Sequence, residues 1–413
     1  MSAAVTMKWA SVLSLETDTA SAVAEAITQL KPRLGSRRPD AVFLFVSPHH
    51  AQHYHAIATT VLKQLGPHHL LGCSGNGVVG GEHEAEEVPA IAVAGAILPD
   101  VTLTPFRLED NALPDADSSP RRWEAAVGVE AGTSPQFIIL ADPLSIRADE
   151  MLAGLDFAYP RSVKIGGLAS GVRRPGQSAL FLDQRLHRSG AVGLALSGNV
   201  RIETVVAQGC RPFGEPLSIT KCARNVLFEL NRRPALETLR EQFEAAGSHD
   251  RLLLRQIPTA LQLGLVMDAF KEGPPGPGDF LIRTPIGMDT KHGALVMSAL
   301  LREGQTVQFH IRDAAAASED LAMALRCYAS GYLDAGVGVS LPPPPRGALL
   351  FSCLGRGKHL YGRPDHDSSA FRAHLGDVPL AGIFCNGEIG QVAGTTYVHG
   401  FTSCFGIFRA TND

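Results

Sequence analysis

GIFCNGEIG, residues 382–390, puts a cysteine, an asparagine and a glutamate on a turn bounded by glycines. The same spacing of two glycines occurs in GCSGNG (72–77) and GGLASG (166–171). Each turn closes a similar stretch of chain. DAVFLFVSPHH (40–50), QFIILADPLS (136–145) and RGALLFSCLGRG (346–357) are short apolar runs between polar breaks, the pattern of a buried strand. Amphipathic segments follow them. Tyr54, Ile57, Ala58, Val61, Leu62 and Leu65 keep the 3.6-residue period before Gly66-Pro67, and shorter helices are expected over 149–158 and 368–375. The first strands end at Ser47, Asp142 and Ser352, which precede Gly72, Gly166 and Gly382 by 25, 24 and 30 residues.

That recurrence implies one supersecondary unit used three times. Beyond the turns lie further strands. VPAIAVAGAILPDVTLTPFRL (88–108) extends the first round, and ALFLD, GAVGLAL and VRIETVVA (179–207) extend the second, with a hairpin at Ser197-Gly198-Asn199. VHGFTSCFGIF (398–408) closes the third. The expected fold class is α/β with α+β mixing: repeated strand-helix-strand modules carrying antiparallel extensions. A further helix is expected to begin at Asp18, bury Val23, Ile27 and Leu30, and end at Pro32 and Gly35.

The stretch between the second and third rounds reads differently. Residues 216–245 are expected to be helical, and FLIRTPIG, GALVMSALL and QTVQFHIRD (280–313) to be antiparallel strands. In the last of these Val307, Phe309 and Ile311 alternate with Gln308, His310 and Arg312. A helix near Ser318 is expected to carry Leu321, Leu325, Tyr328 and Tyr332 in one stripe. Proline-rich stretches at 273–278 and 341–345 read as turns or stiff spacers.

Composition narrows the partners. With 413 residues, 45% hydrophobic and 19% charged, and a net charge of −4, the chain is an ordinary globular protein of two domains or one large composite. Nothing in that balance favours nucleic acid or an anionic membrane. Seven cysteines without a CxxC pair point to a reducing cytoplasm, and the N-terminal segment lacks the regions of a signal peptide. The longest apolar runs, such as AIAVAGAIL (90–98), are too short to cross a bilayer.

The glycine turns lack two familiar chemistries. A phosphate loop needs lysine and a hydroxyl after the second glycine, where this chain has Val78, Val172 and Glu388. A nucleophile elbow needs glycine two residues past its serine, but Asn76 stands two past Ser74. What repeats is backbone geometry able to turn peptide N–H groups toward a ligand, with a side-chain lining that changes from turn to turn.

LFVSPHH (44–50), LLGCSGNGVVGG (70–81), GLASGV (167–172), AVGLALSGNV (191–200), QGCRPFG (208–214), FSCLGRG (351–357), IFCNGEIG (383–390) and VHGFT (398–402) together resemble the FIST domain family over nearly the whole chain. The resemblance implies an N-terminal FIST-like half, 1–207, and a C-terminal half, 208–413. It also implies a cytoplasmic sensory or ligand-binding module, of a kind often joined to signalling outputs, with amino-acid-like small ligands. The two halves account for the chain, so a separate signalling partner or an oligomer is expected to relay the signal.

The expected ligand site is lined by Cys73, Asn76, Arg211, Arg356, Asn386 and Glu388. Arg356 and Glu388 belong to one repeat and either grip the two ends of an amino-acid-like ligand or pair with each other. Arg211, in a glycine-flanked corner, either bonds backbone carbonyls or reaches the ligand; Arg283 and Arg312 are expected on solvated sheet faces. An alternative reading is a cysteine-dependent hydrolase or transferase acting on a small amide or thioester, with Cys353 or Cys73 as nucleophile, Cys385 a weaker candidate, and His399 as base. A third is an adaptor that binds proteins through its proline-rich edges. His49 and His53 would share a helical face, but no third ligand matches them, so neither metal nor cofactor is expected.

Overall fold

The computed structural model of the protein describes residues 6–115, 118–256, 260–268, 273–276, 278–333 and 343–412. The chain forms two compact units. One comprises Met1–Val206, Ala322–Gln391 and Thr396–Asp413; the other comprises Ala207–Leu321 with Val392–Thr395. The expected division into 1–207 and 208–413 follows the chain, whereas the first compact unit draws on both of its ends.

Three rounds of strands build the first unit. The first round has β1 (Lys8–Ser14), β2 (Ala41–Val46), β3 (His69–Ser74), a hairpin β4 (Gly77–Gly80) and β5 (His83–Glu86), and β6 (Ile91–Ile97). The second repeats that order with β7 (Val101–Leu108), β8 (Gln136–Ala141), β9 (Lys164–Leu168), β10 (Leu180–Leu182), β11 (Arg185–His187) and β12 (Ala191–Gly198). β13 (Arg201–Ala207) opens the third. The strands of the second unit follow: β14 (Arg211–Ala223), β15 (Val226–Leu230), β16 (Arg233–Pro234), β17 (Leu261–Val266), β18 (Phe280–Arg283), β19 (Pro285–Asp289), β20 (Ala294–Met297) and β21 (Thr306–Ile311). β22 (Gly347–Cys353), β23 (Leu380–Cys385), β24 (Glu388–Val392), β25 (Thr395–His399) and β26 (Ser403–Arg409) complete the third round. The second unit is therefore an insertion within the third repeat.

Each repeat gives a six-stranded sheet that it does not finish alone. The orders are β1-β6-β2-β3-β10-β11, β7-β12-β8-β9-β24-β25 and β13-β26-β22-β23-β4-β5. Four strands come from one repeat, and the closing hairpin comes from another. At the centre of each sheet lies a parallel pair, β2 with β3, β8 with β9 and β22 with β23, joined through helical crossovers.

The strand sequences explain their burial. Phe43 and Phe45, Ile138 and Leu140, and Leu349 and Phe351 face a core shared by the three sheets. The intervening Val42, Leu44 and Val46 face helices Thr19–Leu34 and Tyr54–Leu65, while Phe137, Ile139 and Ala141 face helices Pro120–Val127 and Ala148–Ala158. Strands covered on both sides need apolar residues at successive positions, which is why these runs do not alternate.

Several expectations change. Helix Thr19–Leu34 is capped by the Asp18 carboxylate on Ser21 N–H and runs through Pro32 to Gly35. Residues 216–234 are not helical: β14 and β15 form a hairpin, with Leu217 and Ile219 buried on a period of two, and helix begins only at Ala235. Tertiary pairing with β21 overrides the weak helical pattern. β21 itself is buried on both faces: Gln308 donates to Gly214 O at 2.6 Å, and His310 packs edge-on against Phe280. Arg312 is buried rather than solvated, donating to Gln208 O at 3.1 Å. The helix expected near Ser318 starts at Ala314, where the Asp313 carboxylate accepts from Ala316 N–H. The Tyr332 side chain and residues 277 and 341–342 of the proline-rich stretches lie outside the described residues. Among the described residues no helix is long and apolar enough to cross a membrane.

Candidate functional site

The three glycine corners meet. At each, the first glycine leaves room for the backbone of the preceding parallel strand: a Cβ on Gly72, Gly166 or Gly382 would lie 1.9, 1.8 or 1.8 Å from the carbonyl oxygen of Leu44, Ile139 or Leu350. Equivalent contacts set the equivalence of residues, so Ser47, Asp142 and Cys353 correspond, as do Asn76, Ser170 and Asn386. The third strand thus ends one residue later than Ser352. Ser170 N–H donates to Ser74 O at 3.2 Å, and Asn386 N–H donates to Leu168 O at 3.0 Å. The Ser170 side chain adds a bond to each neighbour. Asn76 N–H donates to Ser170 Oγ at 2.8 Å, and that hydroxyl donates to Phe384 O. The second corner is thus bonded to both the first and the third.

Polar chemistry concentrates beside the third corner. Asp367, almost fully buried, accepts from Arg356 Nε at 2.9 Å and Nη2 at 3.0 Å, His366 Nδ1 at 3.0 Å, Ser352 Oγ at 2.9 Å and Ser403 Oγ. Burial opposes its charge, but the Arg356 guanidinium and these donors hold its carboxyl well below the usual range. Arg356 also donates to Tyr361 Oη at 2.6 Å, and the Tyr361 ring stacks on His366. From the β4–β5 hairpin, Glu84 accepts from Ser368 N–H at 2.6 Å and Glu86 from Lys358 N–H at 2.9 Å. Burial, and then the charge of Asp367, push the Glu84 carboxyl up to about 8.

Several residues singled out from sequence gather around segment 399–403. Cys353 N–H donates to Thr402 O, Arg356 Nη1 to Phe401 O, and Glu388 accepts from Thr402 N–H at 3.0 Å. His399 is buried and donates through Nε2 to Gly390 O at 3.2 Å. Yet Arg356 is not poised for a ligand carboxylate, because it is 0% exposed and the carboxylate it holds is Asp367. Cys73 is fully buried, and burial pushes its thiol up, which disfavours the thiolate; Cys385 is raised by burial in the same way.

Asn76 is half-buried and Asn386 exposed, each at the tip of its corner. Arg211 belongs to the second unit, where it pairs with Asp250 and Asp313. Arg283 donates to Ile282 O. His49 and His53 sit in a 3₁₀ turn, Pro48–His53, not on one face of an α-helix, and no metal-holding cluster occurs among the described residues. The first unit also has a cavity of about 390 Å³ lined by Trp9, Ser11, Arg33, Glu82, Phe371 and Arg372, residues no sequence motif marked. The glycine corners that carry Asn76 and Asn386 were legible as a repeat. The buried partner Asp367 was not, since it lies on a segment without the glycine spacing of the corners.

Comparison with known proteins agrees with the resemblance read from the sequence. The FIST N domain model matches residues 40–233, and the FIST C domain model matches 235–391. An uncharacterized protein of Mycobacterium tuberculosis is 36% identical over 396 residues, covering 96% of this chain and 98% of the relative. One of Mycobacterium bovis is 34% identical over 394 residues, covering 95% and 96%. Among solved structures, cyanuric acid hydrolase from A. caulinodans aligns over 99% of both chains, with 10% identity and a TM-score of 0.32, too loose to bear on the site.

Proposed function

The chain belongs to the FIST family, and on that premise we propose that it is a cytoplasmic sensory protein that binds an amino-acid-like small ligand at its joined corners and signals through a separate partner. FIST domains are in general sensory, ligand-binding domains. The observation that supports placing the ligand at the corners is the set of hydrogen bonds from the second corner to the first and the third, which gathers Asn76, Ser170 and Asn386 from three distant parts of the chain. Asparagine offers both a donor and an acceptor at a tip. Behind them, Arg356 and Glu388 act by holding segment 399–403 rather than by touching the ligand. Because the second corner is bonded to both others, a ligand that favours one arrangement of the tips shifts all three.

A thermal-shift screen across amino acids, polyamines and small carboxylates tests this, run on the wild type and on the Asn76→Ala/Asn386→Ala double variant. A ligand at 100 times its Kd adds about 2.7 kcal/mol to the native state, which is readily seen as a rise in Tm. The expected outcome is a rise in the wild type that the double variant loses. A rise of equal size in both would remove the ligand from the corners, and no rise with any class would remove the sensory reading.

A further inference from the structure

Asp142, the residue after β8, is fully buried, and Ser178 Oγ donates to its Oδ1 at 2.5 Å. Its Oδ2 has no hydrogen-bond partner, and no cationic side chain among the described residues pairs with the carboxylate. A buried polar atom left in this way costs on the order of 1–3 kcal/mol, and more if charged.

The repeat provides an internal control. At all three equivalent positions the backbone N–H makes the same kind of bond, Ser47 to Ala90 O, Asp142 to Gly190 O and Cys353 to Thr402 O. The side chains differ. Ser47 Oγ accepts from Ala90 N–H at 2.9 Å, and Cys353 Sγ accepts from Gly355 N–H at 3.5 Å. The fold thus needs only a small, locally satisfied group here, and the carboxylate of the second repeat exceeds that need.

Its position is at the junction of two corners. Ala169 N–H, in the second corner, bonds Ala141 O, the residue before Asp142. Ala179, the residue after Ser178, exchanges bonds with Ser74 of the first corner: its N–H donates to Ser74 Oγ at 3.1 Å, and its carbonyl accepts from Ser74 N–H at 2.9 Å. Ser178 is itself buried and directly follows a stretch that is exposed through 173–177.

We propose that Asp142 Oδ2 receives the cationic nitrogen of the ligand, so that the site selects small primary amines. This rests on the ligand-binding reading above and adds the charge of the group recognised. An ammonium supplies both the missing donor and the missing counter-charge, whereas a hydroxyl supplies only the donor.

The probes are ethanolamine and putrescine, with ethylene glycol as the uncharged match, titrated into the wild type, Asp142→Asn and Asp142→Ser and followed by calorimetry and thermal shift. The serine variant copies the first repeat and guards against misfolding of the asparagine variant, while the comparison of ethanolamine with ethylene glycol needs no variant. At least one amine is expected to bind the wild type about tenfold or more tighter than either variant, the worth of a charge-assisted hydrogen bond, with ethylene glycol binding weakly or not at all. Equal amine binding by all three proteins, or glycol binding as tight as ethanolamine, would overturn the assignment of Asp142. Binding of small carboxylates without amines would overturn it too, while leaving a ligand-binding protein. Absence of binding by both amines would overturn the assignment of Asp142, while the ligand-binding reading stands or falls on the wider screen above.

Discussion

Arg356 illustrates how residue type and residue environment part company. An arginine between two glycines at a strand end reads as a fork for a ligand carboxylate or for Glu388, yet here it is the buried partner of Asp367, eleven positions further on. Glu84 shows the consequence for stability. With its pKa near 8, raised by burial and by Asp367, the folded chain holds a proton that the unfolded chain releases near 4.3. Its contribution to stability is therefore complete below about pH 4.3 and is lost as pH rises through 8. Glu84→Gln keeps the oxygen that accepts from Ser368 N–H and removes the charge. Urea titrations at pH 5, 6.5 and 8 are expected to find the variant gaining on the wild type as pH rises; a constant difference would mean that Glu84 is already ionised at pH 5.

At the scale of elements, the first glycine of each corner is required by backbone proximity. Gly72, Gly166 and Gly382 lie against a carbonyl oxygen of the neighbouring parallel strand, an atom that cannot rotate away as a side chain can. Gly382→Ala is expected to destabilise by more than about 4 kcal/mol, with the equivalent substitutions at 72 and 166 similar, as measured by chemical denaturation. Gly81→Ala, where no atom lies within 4 Å but φ is +63°, is expected to cost only about 1 kcal/mol. Equal losses at 81 and 382 would contradict the close approach. The corner glycines were visible from spacing alone. The β14–β15 hairpin was not, because Leu217, Ile219 and Thr220 lie in a stretch whose charges also suit a helix, and pairing with β21 decides between them.

For the whole molecule, the exchange of hairpins among repeats is the governing feature of the first unit. β4 pairs with β23 through Val78–Ile383, Val79–Gly382 and Gly80–Ala381, and β9 pairs with β24, so residues 1–206 alone would leave β4 and β9 without those neighbours. A fragment ending at 206 is expected to aggregate or to unfold without a sharp transition, because it holds two open strand edges and part of a shared core. A monomeric fragment with cooperative unfolding, seen by size-exclusion chromatography and circular dichroism, would overturn that view. Sequence by itself determined the family, the three corners and the strand-helix-strand order, because spacing, glycine and apolar periodicity are local and each copy repeats them. Only the tertiary structure decided which hairpin completes which sheet, that Asp367 answers Arg356, and that among the described residues Ser178 answers only one oxygen of the Asp142 carboxylate. Pairing and burial depend on residues far apart in the chain, and no single stretch carries the energy of a contact made by two.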